Sequence, residues 1–155
     1  MEPTHSRPMG PHRGAACLYG HTGLGKGQKM DNEKRFIRCN ICGNLMGIIN
    51  DGGVTPICCG EEMELLQPNT VDAAAEKHMP VGERRRGMVL ARVGEVDHPM
   101  LEEHYIQWIA VQQNGRTQRV SLRPGATPTA TFEAQAGPLT LYAYCNLHGL
   151  WKAEV

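Results

Sequence analysis

Two cysteine pairs lie in a stretch of chain too short to fold by itself. Cys39 and Cys42 form CNIC; Cys58 and Cys59 form CC after fifteen intervening residues. From Phe36 to about Gln67 there is too little apolar material for an independent core, so this unit needs a metal or a partner to fold. A Cys-x-x-Cys knuckle lets two thiolates approach one ion while nearby backbone N–H groups point at sulfur. Four thiolates suit tetrahedral iron or zinc, and a plain structural zinc knuckle has the same spacing. Adjacent strand residues point to opposite faces, so Cys58 and Cys59 share one ion only if the backbone bends between them. The apolar runs LMGII (45–49) and VTPIC (54–58) flank NDGG (50–53). That pattern predicts a β-hairpin that carries the second pair back to the first.

The chain has 155 residues, enough for one ordinary domain or two small ones. Lys and Arg total 16 against 16 Asp and Glu, which gives no push toward nucleic acid or an anionic membrane. No run approaches the ~20 apolar residues of a spanning helix, and no apolar signal segment opens the chain. These features point to the cytoplasm, where cysteines serve as metal ligands more often than as disulfides.

Residues 1–30 are rich in Gly, Pro and basic side chains without periodicity and read as a flexible extension. They contain GHTGLGKG (20–27), which fits the start of a phosphate loop except that Gly27 stands where Ser or Thr is needed. RGAACLY is a poor strand and QKMDNEKR has no apolar face, so the flanking strand and helix are missing as well. Residues 31–67 form the cysteine-rich unit. Residues 68–155 read as strand after strand: GMVLARV, HYIQWIAVQQ, TQRVSL, ATFEA, LTLYAYC and LWKAEV. Turn signals at Asn114-Gly115, Pro124-Gly125 and Gly137-Pro138 separate them. That spacing predicts an antiparallel β-sandwich with no amphipathic helix. The run Arg84, Arg85, Arg86 reads as a solvated surface.

A second constellation comes from the histidines. Of seven in the chain, His5, His12 and His21 fall in the extension. His78 lies in EKHMP, His98 in a Pro-bearing turn, His104 at the head of a strand, and His148 three residues after Cys145. Strand parity puts Leu139, Leu141, Ala143 and Cys145 on one apolar face. A lone histidine at a strand end is usually structural. Four of them with a cysteine, each at a turn or strand boundary, are what a loop-built metal site requires. Blue copper would need two histidines, a cysteine and usually a methionine shortly afterwards, and CNLHGLWKAEV has no methionine. A closed zinc site uses four ligands, not five.

These motifs together resemble the desulfoferrodoxins, the two-iron superoxide reductases, across about Asp31 to Val155. The residues that carry the resemblance are CNIC and CC, EKHMP, HPMLEEHYIQWI and CNLHGLW. The resemblance implies an all-β chain, with a small desulforedoxin-like domain before an immunoglobulin-like antiparallel β-sandwich. It implies two iron ions per chain. One would be held by Cys39, Cys42, Cys58 and Cys59. The other, catalytic iron would take His78, His98, His104 and His148 as equatorial ligands and Cys145 as the axial thiolate. The implied activity is one-electron reduction of superoxide to hydrogen peroxide without release of dioxygen, with electrons from a rubredoxin-type donor. Lys77 would draw the superoxide anion to the open iron position, and Glu76 would ligate the oxidised metal. A homodimer is implied too. The competing expectation is an electron carrier or metal-binding module whose histidine site is closed.

Overall fold

The computed structural model describes residues 35–71 and 73–155. The expected extension, with its phosphate-loop-like stretch, lies outside the described residues. Asn32–Val155 forms one compact unit. Among the described residues, no helix is long and apolar enough to cross a membrane.

The cysteine-rich part is built from short strands: β1 (Arg35–Arg38), β2 (Leu45–Ile48), β3 (Ile57–Cys58), β4 (Glu61–Glu62) and β5 (Glu64–Leu65). β1 pairs antiparallel with both β2 and β5, and β3 pairs with β4. The expected hairpin between LMGII and VTPIC is therefore not formed. The CNICGN knuckle is itself the turn joining β1 to β2, closed by Cys39 N–H to Asn44 O at 2.8 Å and Gly43 N–H to Cys39 O at 2.9 Å. The Asn-Asp-Gly-Gly segment does turn, but locally: the Asp51 carboxylate accepts from Gly53 N–H at 2.8 Å and pairs with Arg35. An Asx-type turn of this kind satisfies its own backbone and does not oblige the flanking runs to pair. Ile37, Cys39 and Met63 make a small buried cluster.

The rest is a sandwich of two antiparallel sheets. One has the order β10-β7-β6, with β6 Pro80–Arg85, β7 Met88–Val93 and β10 Thr129–Glu133. The other has the order β12-β11-β8-β9, with β8 Ile106–Gln113, β9 Arg116–Ser121, β11 Thr140–Cys145 and β12 Gly149–Glu154. The inner faces supply Val89, Ala91, Val93, Ile109, Val111, Phe132, Leu141, Ala143 and Cys145 to one core. Alternating burial along β7 follows the period of two expected for a strand with one face inward.

The six expected strands are present, with ends shifted by a residue or two. In this part of the chain two elements were not expected. β6 is a sheet-edge strand that opens on Pro80 and ends on arginines, a composition tolerated at edges and poorly marked as a strand. Its Arg84 is not simply solvated: the guanidinium donates to the carbonyls of Gln135, Gly137 and Val155. The second is a single helical turn, α1 (Ala75–His78), where no helix was expected.

β11 is buried on both faces. Leu141, Ala143 and Cys145 face the sandwich core, as parity predicts. Tyr142 and Tyr144 face a second cluster with Trp108, Ala110 and Leu150, and Phe36 from β1 completes it. The Phe36 ring lies 5.1 Å from Trp108 and 5.4 Å from Tyr142, and Trp108 stacks on Tyr144 at 5.6 Å and 7°. The cysteine-rich strands thus cover an apolar sheet face that water would otherwise meet.

Candidate metal centres

Cys39, Cys42, Cys58 and Cys59 come together, their sulfurs all within 4.8 Å of one another. Tetrahedral metal–sulfur bonds of about 2.3 Å set the sulfurs about 3.8 Å apart. Cys42 and Cys58 are 3.7 Å apart, and Cys58 and Cys59 4.0 Å. The bend required at the adjacent pair is present. Cys59 and Gly60 both have positive φ, +53° and +86°, and form the two-residue turn between β3 and β4. Protonation chemistry also calls for a cation here. The Cys42 backbone N–H lowers the Cys39 thiol to about 7, while hydrogen bonding with the Cys42 side chain pushes Cys59 up to about 12. One thiol ionises readily and the last resists, so four thiolates coexist only around a positive ion.

The second group gathers His78, His98, His104, His148 and Cys145, with ligand atoms again within 4.8 Å of one another. The imidazoles form a square. Neighbouring ring centroids are 4.7, 4.6, 4.8 and 4.6 Å apart around the sequence 78–98–104–148, with interplanar angles of 80°, 77°, 78° and 81°. The diagonal pair His78 and His104 is 6.1 Å apart and only 25° from parallel. His148 Nδ1 lies 2.8 Å from His78 Nε2 and 3.6 Å from Cys145 Sγ. Metal–nitrogen bonds of about 2.1 Å put adjacent ligand nitrogens about 3 Å apart. The buried Nε2 atoms of His98 and His104 have no hydrogen-bond partner. Buried nitrogens without partners are costly unless a metal takes their lone pairs. The donor set therefore fits an ion.

Local structure aims each ring. His78 is buried at the end of α1, and its Nδ1 meets Ala74 O at 2.8 Å, leaving Nε2 to face the group. His98 Nδ1 meets Pro99 O at 2.5 Å, with the same effect. Such backbone contacts fix the tautomer of a metal-binding histidine. His104 lies in a turn closed by two bonds with Leu101, two residues before β8 starts, and not at the strand head as expected. Cys145 ends β11, where the pairing with β8 shifts register, and His148 sits in the three-residue loop leading to β12. Burial lowers the pKa of His78 and His104 and takes His98 down to about 4, so these rings are neutral at pH 7. Burial raises the Cys145 thiol, against the backbone N–H groups of His148 and Leu147, which favour the thiolate.

Glu76 and Lys77 are exposed on α1, immediately before His78. Their charges are felt at the square: Glu76 acts on His78 and Lys77 on His104. α1 is pinned from below. Glu76 O accepts from Glu95 N–H at 2.7 Å and Val96 N–H at 3.1 Å, and Met79 O accepts from Gly94 N–H at 2.9 Å. Gly94, at φ +83°, lies so close that a Cβ there would collide with the Val96 carbonyl and sit 2.7 Å from Lys77 O. Sequence reasoning did not single out this glycine. Its signal was available: a lone glycine between a strand and a ligand-bearing turn.

Two family signatures match most of the described chain. The desulfoferrodoxin N-terminal domain matches residues 31–66 and the desulfoferrodoxin signature matches 70–154. A desulfoferrodoxin of Syntrophotalea carbinolica is 48% identical over 125 residues, spanning 81% of this chain and 99% of its own length. One from Desulfarculus baarsii is 42% identical over 125 residues, with the same two shares. The crystal structure of the superoxide reductase from Treponema pallidum superposes with a TM-score of 0.64 at 35% identity, covering 78% of this chain and 98% of that one.

Proposed function

The chain belongs to the desulfoferrodoxin family, and on that premise we propose that it reduces superoxide to hydrogen peroxide at the histidine–cysteine site. The observation that carries this reading is the square of four imidazoles with a buried thiol beside it. Five protein donors would leave a six-coordinate ion one position for a small substrate, which an electron carrier does not need. The two clusters fit the two iron sites of a desulfoferrodoxin.

The chemistry a ferrous ion supplies when bound is one electron; superoxide, that electron and two protons balance to hydrogen peroxide. The imidazoles of His78, His98, His104 and His148 would hold the ion in place, and Cys145 would contribute the soft, strongly donating ligand. Lys77, exposed beside the square, draws the superoxide anion inward and offsets negative charge on it during reduction. Glu76, on the same helical turn, would offer its carboxylate to the ion once it is oxidised. Protons come from solvent.

Cys39, Cys42, Cys58 and Cys59 hold the other iron, and a rubredoxin-type protein supplies electrons. The division at residue 67/68 is supported by the family matches, which stop at 66 and resume at 70. A homodimer is supported by the exposed Ile41, Met46, Ile49, Val54 and Ile57, five large apolar side chains within one short unit. A cytoplasmic setting is supported by two sites that require reduced thiols.

Metal analysis with optical spectroscopy of the anaerobically isolated protein tests the reading. Two irons per chain are expected. Stoichiometric zinc at the histidine site would contradict it.

A further inference from the structure

Asn146 lies between Cys145 and His148 and belongs to neither metal group. Its side-chain amide spans the segment that carries His104. Oδ1 accepts from Tyr105 N–H at 2.8 Å, and Nδ2 donates to Glu103 O at 2.8 Å. Its backbone N–H donates to Tyr105 O at 3.2 Å. The amide therefore grips both residues flanking His104 and ties them to the residue after Cys145.

This grip sits where the sheet stops helping. The β8–β11 ladder slips register between Tyr144 and Cys145, and β8 begins only at Ile106. Beyond that point the chain carrying His104 keeps one backbone bond, Asn146 N–H to Tyr105 O, and the side-chain amide of Asn146 stands in for further rungs. His78 and His98 each have a second ring nitrogen held by a backbone carbonyl within their own segment. His104 is held through the Leu101–His104 turn and through Asn146.

We propose that Asn146 is a positioning residue for His104: its side-chain amide fixes the distance between the His104 imidazole and the Cys145 thiolate, and so keeps His104 in the iron's ligand set. The inference rests on the proposed iron site. Outer groups that orient a metal ligand commonly change metal affinity by about 10- to 100-fold when removed.

The test uses the full-length two-iron protein and its Asn146→Ala and Asn146→Asp variants. Each is exposed to a ferrous chelator while the thiolate-to-iron absorption of the histidine site and the absorption of the four-cysteine iron are followed separately. In Asn146→Ala the histidine-site iron should be stripped at least about ten-fold faster, with its absorption band shifted, while the four-cysteine iron is lost at the unchanged rate. Asn146→Asp keeps an acceptor for Tyr105 N–H but cannot donate to Glu103 O, and should fall between. Stripping rates and band positions equal to those of the unmodified protein in either variant would overturn the proposal. So would equally accelerated loss of both irons in both variants, which signals a general packing role. A histidine site that takes up no iron in the unmodified protein would count against the site itself and not against Asn146.

Discussion

His148 Nδ1 and His78 Nε2 lie 2.8 Å apart, although seventy positions separate the two residues in sequence. At that distance the two nitrogens share either a proton or a cation. Across the square, the buried Nε2 atoms of His98 and His104 have no hydrogen-bond partner. In the metal-free protein those two nitrogens are left unpaired, and burial puts a cost on protonating them.

That cost sets a pH window. His98 has its pKa lowered by burial to about 4, below the value of about 6.5 for a free histidine. Between those values the unfolded chain binds the proton and the folded chain does not. The stability linked to His98 is thus complete above pH ~6.5 and is lost as pH falls toward 4. Denaturation midpoints of the metal-free protein should drop across this window. Midpoints that are flat across it would contradict the buried, neutral state of His98.

Lys77 is exposed on α1, and its charge reaches His104. Replacing Lys77 with Ala should slow superoxide consumption roughly ten-fold and flatten its dependence on ionic strength, while Lys77→Arg retains both. Rates from pulse radiolysis at several salt concentrations decide it. An unchanged rate and salt slope in Lys77→Ala would rule out charge steering by Lys77.

Gly94 supports that helical turn from beneath. Its positive φ and its closeness to the Lys77 and Val96 carbonyls leave no room for a methyl group. Gly94→Ala should push α1 away from the square and weaken iron at the histidine site, while the four-cysteine iron stays in place. Iron content and the two optical bands report the difference. Full occupancy of both sites would show that α1 tolerates the shift.

How much of this was legible in the sequence depended on range. The cysteine pairs and the Cys-x-x-His pair were readable because metal chemistry constrains residues a few positions apart. The inward face of Cys145 was readable because strand parity is local. Partner choice was not: LMGII looks like a strand, but nothing in it says that it pairs with FIRC instead of VTPIC. β6 was hidden by Pro80, Gly82 and its arginines, which suit an exposed edge and score poorly as a strand. α1 is a single turn, too short for helical periodicity. Asn146 looks like an ordinary loop residue until the segment forty-odd positions upstream is folded against it.

Phe36 shows how the cysteine-rich part depends on the sandwich. Its ring is buried against Trp108 and Tyr142, in the cluster on the outer face of β11. Phe36→Ala should cost about 3 kcal/mol and release the four-cysteine iron at lower denaturant than the histidine-site iron. Chemical denaturation followed at both optical bands checks this. Coincident, unshifted transitions would mean that the two parts are held together by other contacts.

On the proposed function, the square of His78, His98, His104 and His148, with Cys145, reduces superoxide and does not dismutate it. The most direct measurement is the yield of hydrogen peroxide and dioxygen from a known amount of superoxide, added anaerobically to the fully reduced protein. Reduction predicts one hydrogen peroxide for each superoxide consumed and no dioxygen. Half that yield of peroxide, with dioxygen released in equal amount, would contradict it.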